Sequence, residues 1–288
     1  MHRLAAGWLL LWACTVHAGD VLVLRSRELP AYRAVQAGFT AALQRPVREL
    51  PLADAAGLER ALAARPELVL AVGLEAARAM VGRAPGVPLV CALVPAPEQL
   101  GAELRAVPMF ASPERQLLAL RAVLPRARRL GAFFDAAHPP AQRDAYARAA
   151  RAAGLELIWA EVGGPEQLSV AARELASRVD VLWLLPDAEL ISAQSFRFLV
   201  ELSFARKRPL LGFSQSMVKA GALLALEPGY EQMGRRAAGV AQQLLARRAA
   251  SAAPEDPADP LFLNARAAAL LGVTLEPGTR ARAAHVFE

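Results

Sequence analysis

Val181-Leu182-Trp183-Leu184-Leu185-Pro186-Asp187-Ala188-Glu189 and Pro209-Leu210-Leu211-Gly212-Phe213-Ser214-Gln215-Ser216 are two copies of one physical unit, separated by a helical stretch. In each copy a continuous apolar run, suited to a strand buried on both faces, stops abruptly in polar or small residues. Gly221-Ala222-Leu223-Leu224-Ala225-Leu226-Glu227-Pro228-Gly229-Tyr230 follows the second copy. Buried strands alternating with helices predict an α/β fold with parallel sheets covered on both faces. In such folds ligands bind where the strands end, at their carboxyl termini.

Outward from this stretch the same unit recurs along the chain. Towards the amino terminus, apolar strands are expected at Asp20 to Leu24, Val47 to Leu50, Leu68 to Val72 and Leu89 to Val94, with helices opening at Pro30, Gly57, Glu75 and Pro113. The pattern breaks at Pro125 to Arg129 and restarts with strands Leu130 to Phe134 and Leu155 to Glu161. Two α/β halves of similar build result. A long amphipathic helix from Tyr230 to Arg248, an Ala, Pro and Asp-rich loop from Ser251 to Pro260, and a last strand and helix up to Leu271 follow both halves. A tail that can return to the first half gives several connections between two Rossmann-like lobes, which is the arrangement of a multi-strand hinge. The expected division is residues 19–125 plus about 228–260 for lobe 1, and 126–227 plus about 261–288 for lobe 2.

The chain has 288 residues, 55% of them apolar, enough for two ordinary cores. Residues 1–18 read as a secretory signal peptide: Arg3 precedes a mostly apolar run, and Val16-His17-Ala18 resembles a small-residue cleavage site. Leu11-Trp12-Ala13-Cys14 partly resembles a lipoprotein box, so anchoring through Cys14 is the rival reading, although Trp12 is bulky for it. After removal of the leader only Cys91 remains, on an apolar strand, so no internal disulfide forms. The formal net charge of +6 comes mainly from arginines scattered through helices, with knots at Arg126, Arg128 and Arg129 and at Arg206, Lys207 and Arg208. Neither a continuous basic stripe nor interleaved aromatics is present, so no nucleic-acid partner is expected.

Several pieces of the chain, in order, resemble the ABC-transporter substrate-binding protein family of the type I periplasmic-binding fold, in the branch that includes receptors for aromatic amino acids. They are Ser26 with Pro30, Tyr32, Gly38 and Phe39; Gln116-Leu117 and Leu124-Pro125; Leu185-Pro186-Asp187; Gly212-Phe213-Ser214; Gly221-Ala222-Leu223; Tyr230 with Gly234-Arg235; and Asn264-Ala265 with Leu271-Gly272. The resemblance implies a periplasmic, monomeric receptor without cofactor or metal that captures a small molecule, amino acid-like in this branch, and presents it to a membrane ABC permease. One departure stands out. Where members often carry a Gly-Asn-Ile-Thr-Gly-like segment, this chain reads Glu103-Leu104-Arg105-Ala106-Val107-Pro108-Met109, so the family's ligand contacts there do not carry over. The departure also keeps open a same-fold receptor serving a signalling or envelope-assembly partner.

Candidate ligand-binding residues sit at strand ends. In the first lobe they are Ser26 as a hydroxyl donor, Tyr32 as a stacking ring, and Gly73, Leu74 and Glu75 at a helix start whose N–H groups suit an anionic group. Arg25 and Arg27 are further candidates for pairing a carboxylate. In the second lobe Asp187 suits a ligand amine, unless it is spent on a turn after Pro186, and Ser214 and Gln215 suit a polar group. Phe213 is a second stacking candidate, and Asp135 with His138 a weaker pair.

Catalysis has little to build on. His138 and His285 are the histidines beyond the leader, no His or Cys cluster has metal-ligand spacing, and the Gly-x-Ser-x-Gly, Walker and Gly-x-Gly-x-x-Gly patterns are absent. A hydrolase built from Ser214 and His138 with Asp135 or Asp187 is the remaining enzymatic reading.

Overall fold

The computed structural model describes residues 20–95, 97–101, 104–140, 142–187, 189–246 and 258–288. The expected leader with Cys14, and most of the loop from Ser251 to Pro260, lie outside the described residues. In chain order the elements are β1 (Val21–Arg25), α1 (Pro30–Leu43), β2 (Val47–Pro51), α2 (Ala55–Ala63), β3 (Leu68–Val72), α3 (Leu74–Met80), β4 (Leu89–Ala92), a short 3-10 turn (Pro97–Leu100) and β5 (Leu104–Ala106). Then come α4 (Pro113–Val123), β6 (Arg129–Asp135), α5 (Arg143–Ala152), β7 (Glu156–Val162), α6 (Leu168–Arg178), β8 (Val181–Trp183), α7 (Ala193–Arg206), β9 (Leu210–Gly212), α8 (Gln215–Lys219) and β10 (Leu224–Leu226). The chain closes with α9 (Tyr230–Leu245), β11 (Leu261–Asn264), α10 (Ala265–Leu271), α11 (Pro277–Arg282) and β12 (His285–Phe287). The expected α/β class with two mostly parallel sheets is what forms.

Two compact units share these elements: the described residues of Met1–Val107 with Tyr230–Glu255, and those of Pro108–Gly229 with Asp256–Glu288. The first change of unit therefore falls ahead of α4, where the sequence reading puts it at Pro125 to Arg129. The reason is where α4 buries its apolar side. Leu117 and Leu120 are fully buried against Trp183 and Leu211, and the buried Gln116 accepts a hydrogen bond from the Trp183 indole N–H at 2.8 Å.

The first unit holds a five-stranded, all-parallel sheet of order β2-β1-β3-β4-β5. Leu68 to Val72 are buried throughout, as a strand covered on both faces requires. α1 starts at Pro30, whose missing N–H costs nothing in the first turn, and packs along α9. That contact is backbone to backbone: a Cβ placed on Gly38 would lie 2.1 Å from the Glu231 carbonyl, and one on Gly234 would lie 2.0 Å from the Val35 carbonyl. Glycine at both positions is what lets α9, arriving late in the chain, seat against the first unit.

The second unit holds a seven-stranded sheet of order β12-β11-β10-β9-β8-β6-β7, with β10 and β11 antiparallel and the remaining pairs parallel. The pleat sorts the apolar run of β8 onto two faces. Val181, Trp183 and Leu185 join one cluster with α4, α5 and α10, while Leu182 and Leu184 join the other with α6, α7 and α8. Ser192 and Ser195 cap α7 reciprocally, and Asn264 caps α10 by accepting from the Ala267 N–H at 2.7 Å. β5, α8, α11 and β12 are short elements that the sequence reading leaves undefined.

Candidate functional site

Both units reverse strand order beside their first strand. In the first unit β1 lies between β2 and β3, and in the second β6 lies between β7 and β8. Consecutive connections there leave to opposite faces of the sheet, which opens a crevice at the carboxyl ends of the two central strands. The candidate residues gather at these two places.

At the first, the end of β1 meets the β3 to α3 turn. The Ser26 hydroxyl oxygen accepts the N–H of Ala76 at 2.8 Å, so a side chain from one strand caps the helix that follows another. Gly73 stands between them with φ +94°, and a Cβ there would lie 2.6 Å from the Ser26 oxygen and 2.9 Å from the Tyr32 ring. Ser26, Tyr32, Gly73, Leu74 and Glu75 are thus brought together. Glu75 turns its carboxylate to its own N–H and to Arg27, at 2.9 Å, and these contacts hold its pKa below the usual carboxylate value. The first turn of α3 is therefore already served by the chain's own oxygens. Arg25 is engaged as well: it binds Glu28 at 2.6 Å and donates to Gln36, leaving Arg27 as the more exposed guanidinium.

At the second, β6 ends in Asp135, a buried residue whose carboxylate takes the Ala137 N–H at 3.1 Å and the His138 ring Nδ1 at 2.8 Å. The bond from His138 holds Asp135 below the usual carboxylate pKa, and in return Asp135 raises His138, with smaller contributions from Glu189 and Asp187. The imidazole itself is exposed. Asp187, beyond the end of β8, closes a turn: one carboxylate oxygen accepts the N–H groups of Glu189 and Leu190, each at 3.0 Å. Asp135, His138, Asp187 and Glu189 make this rim acidic, with one titratable cation among its carboxylates.

Further along the same edge Ser214 caps α8, accepting the Met217 N–H at 3.3 Å and sharing a hydrogen bond with Ser216 at 2.9 Å. The Gln215 N–H donates to Glu227 at 2.6 Å, so a carboxylate from the end of β10 occupies that turn. Phe213 packs edge-to-face on Phe110, ring centres 5.4 Å apart. Phe110 escapes the sequence reading because its ring partner lies far away along the chain, and Glu227 because its contact to Gln215 depends on β10 packing beside β9. Cys91 is buried on β4, which pushes its thiol pKa up to about 11.

Among the described residues no group of three or more His, Cys, Asp or Glu has the disposition of a metal site. A cavity of about 810 Å³ in the first unit lies at the amino ends of β4 and β5, lined by Val69, Met80, Leu89, Leu100 and Leu104, on the edge opposite the candidate residues. No described helix is long and apolar enough to cross a membrane.

Comparison with known proteins bears on the fold and the family. A ligand-free, open substrate binding protein with adhesive properties from Clostridium difficile superposes with TM-score 0.70 at 16% identity, covering 93% of this chain and 99% of that one. An ABC domain in complex with L-Trp from Streptococcus pneumoniae gives TM-score 0.57 at 18% identity, with 93% and 99% coverage. A conserved domain protein from Vibrio cholerae gives 0.56 at 20% identity, with 94% and 100%. No curated protein matches the sequence. Residues 51–287 match the model of the ABC transporter substrate binding protein family, and the chain belongs to that family.

Proposed function

We propose that the protein captures a small, amine-bearing solute, amino acid-like in character, at the polar strand ends of its parallel sheets, and that it delivers the solute to an ABC permease outside the cytoplasm. One observation carries the reading: the first five strands of each unit run in the same order, and each reversal point ends in polar side chains. Asp187, Glu189 and Asp135 supply carboxylates suited to an ammonium group, with Ser214 and Gln215 beside them as polar neighbours. Arg27 and Tyr32 supply a cation and a ring from the first unit, suited to a carboxylate and an apolar side chain. Family membership supports solute binding in place of catalysis.

A thermal-shift screen of amino acids, simple amines and simple carboxylates tests this, because a ligand of the native state raises the melting temperature. Amino acids or amines should raise it, and carboxylates lacking an amine should not. A rise only with such carboxylates would refute the amine-directed reading.

A further inference from the structure

The amino edge of the second sheet collects cations from separate stretches of chain. Arg126 and Arg128 lead into β6, which Arg129 opens, Arg178 ends α6 ahead of β8, and Arg206 ends α7 with Lys207 after it ahead of β9, all of them exposed. β6, β8 and β9 are consecutive parallel neighbours, so these approaches lie side by side. Hydrogen bonds tie them together. The Asp180 carboxylate accepts the N–H groups of Arg128 and Arg129 at 2.8 and 2.9 Å, and Arg208 Nε donates to the Ala176 carbonyl at 3.0 Å. Cations outnumber carboxylates there: Asp180 reaches Arg129 only at 4.0 Å, Glu156 stands beside Arg129 at the start of β7, Lys207 Nζ donates to the Leu270 carbonyl, and among the described residues Arg126, Arg128, Arg178 and Arg206 enter no ion pair.

Cations do favour helix carboxyl ends, but each such end carries only about half a negative charge. The first unit shows that the fold does not require an excess. On its amino edge Asp20, Arg45 and Glu67 precede β1, β2 and β3, and Arg45 pairs with Glu67 at 2.9 Å. Three neighbouring strands make a face about 10 Å wide, too broad for a single anion. Among the described residues the contributing stretches themselves bring no exposed large apolar side chain, and Leu270, exposed beside Lys207, stands at their margin where a protein interface would need such residues at its centre; they bring no exposed aromatic for stacking bases. All but one of the cations are arginines, whose planar fork matches phosphate oxygens.

We propose that this edge of the second unit is a docking face for an anionic phospholipid surface. The test is co-sedimentation of the full chain with vesicles of phosphatidylcholine alone and of phosphatidylcholine mixed with phosphatidylglycerol. The ratio of the two partition coefficients cancels any insertion common to both. Each cation near an anionic surface is worth about fivefold in partitioning. The combined Arg126→Ser, Arg128→Ser, Arg178→Ser and Arg206→Ser protein should therefore lose more than about a hundredfold of the mixed-vesicle preference, and raised salt should do the same to the parent. Should that protein fail to fold, the Arg126→Ser, Arg128→Ser pair should still lose at least about tenfold. Equal partitioning of the parent onto both vesicles, an unchanged ratio in the variants, or binding to duplex DNA or polyglutamate alone would overturn the proposal.

Discussion

The hydroxyl oxygen of Ser26 lies 2.6 Å from the point where a Cβ on Gly73 would sit, and it is the same oxygen that caps α3 through Ala76. Two strands and a helix therefore share one contact at the first reversal point. Gly73→Ala must place a side chain at φ +94° and push against both Ser26 and the Tyr32 ring. A loss of about 1–3 kcal/mol in unfolding free energy is expected by denaturant titration. An unchanged midpoint would mean that the turn relaxes freely.

Asp187 has two separable roles, and two substitutions distinguish them. Asn keeps an oxygen for the Glu189 and Leu190 N–H groups but removes the charge, while Ala removes both. Asp187→Asn should melt near the parent temperature and lose roughly tenfold or more in affinity for an amine-bearing solute by calorimetry. Asp187→Ala should show the same affinity loss and also be less stable by about 1 kcal/mol. Parental affinity in both would remove Asp187 from the site.

The Asp135 and His138 pair gives a pH dependence with a definite sign. A histidine raised in the folded state adds stability below its unfolded pKa and loses that contribution as pH climbs through the folded value. Asp135, held low, adds stability above its unfolded pKa and loses it as pH falls through the folded value. Both contributions are present between about pH 4 and 6.5. The melting-temperature gap between the parent and His138→Gln should be largest in that window and narrow above neutrality. A gap independent of pH would show that the pair does not titrate as a unit.

Much of the fold is legible because its central strands are buried on both faces. Leu68 to Val72 and Val181 to Leu185 admit no reading other than a covered strand or a buried helix, and the flanking Pro and Gly decide between them. β5 and β12, each three residues long, carry too few side chains to set a period. The position of α4 is illegible for another reason. Its affiliation with the second unit rests on Gln116 meeting Trp183 across 67 residues of chain, a pairing that no local pattern encodes. At the candidate site, strand ends were readable as polar stops, but their internal partners were not. Ser26 reads as a donor to a ligand and is found accepting from Ala76, and the Glu227 contact to the Gln215 N–H depends on the packing of β10 beside β9.

Hydrogen exchange with and without a solute found by thermal shift tests capture at the strand ends most directly. Slower exchange is expected at the reversal points, residues 26–32 and 73–77 in the first unit or residues 135–138 and 184–187 in the second. Protection only elsewhere, or no change at either reversal point despite saturating solute, would contradict it.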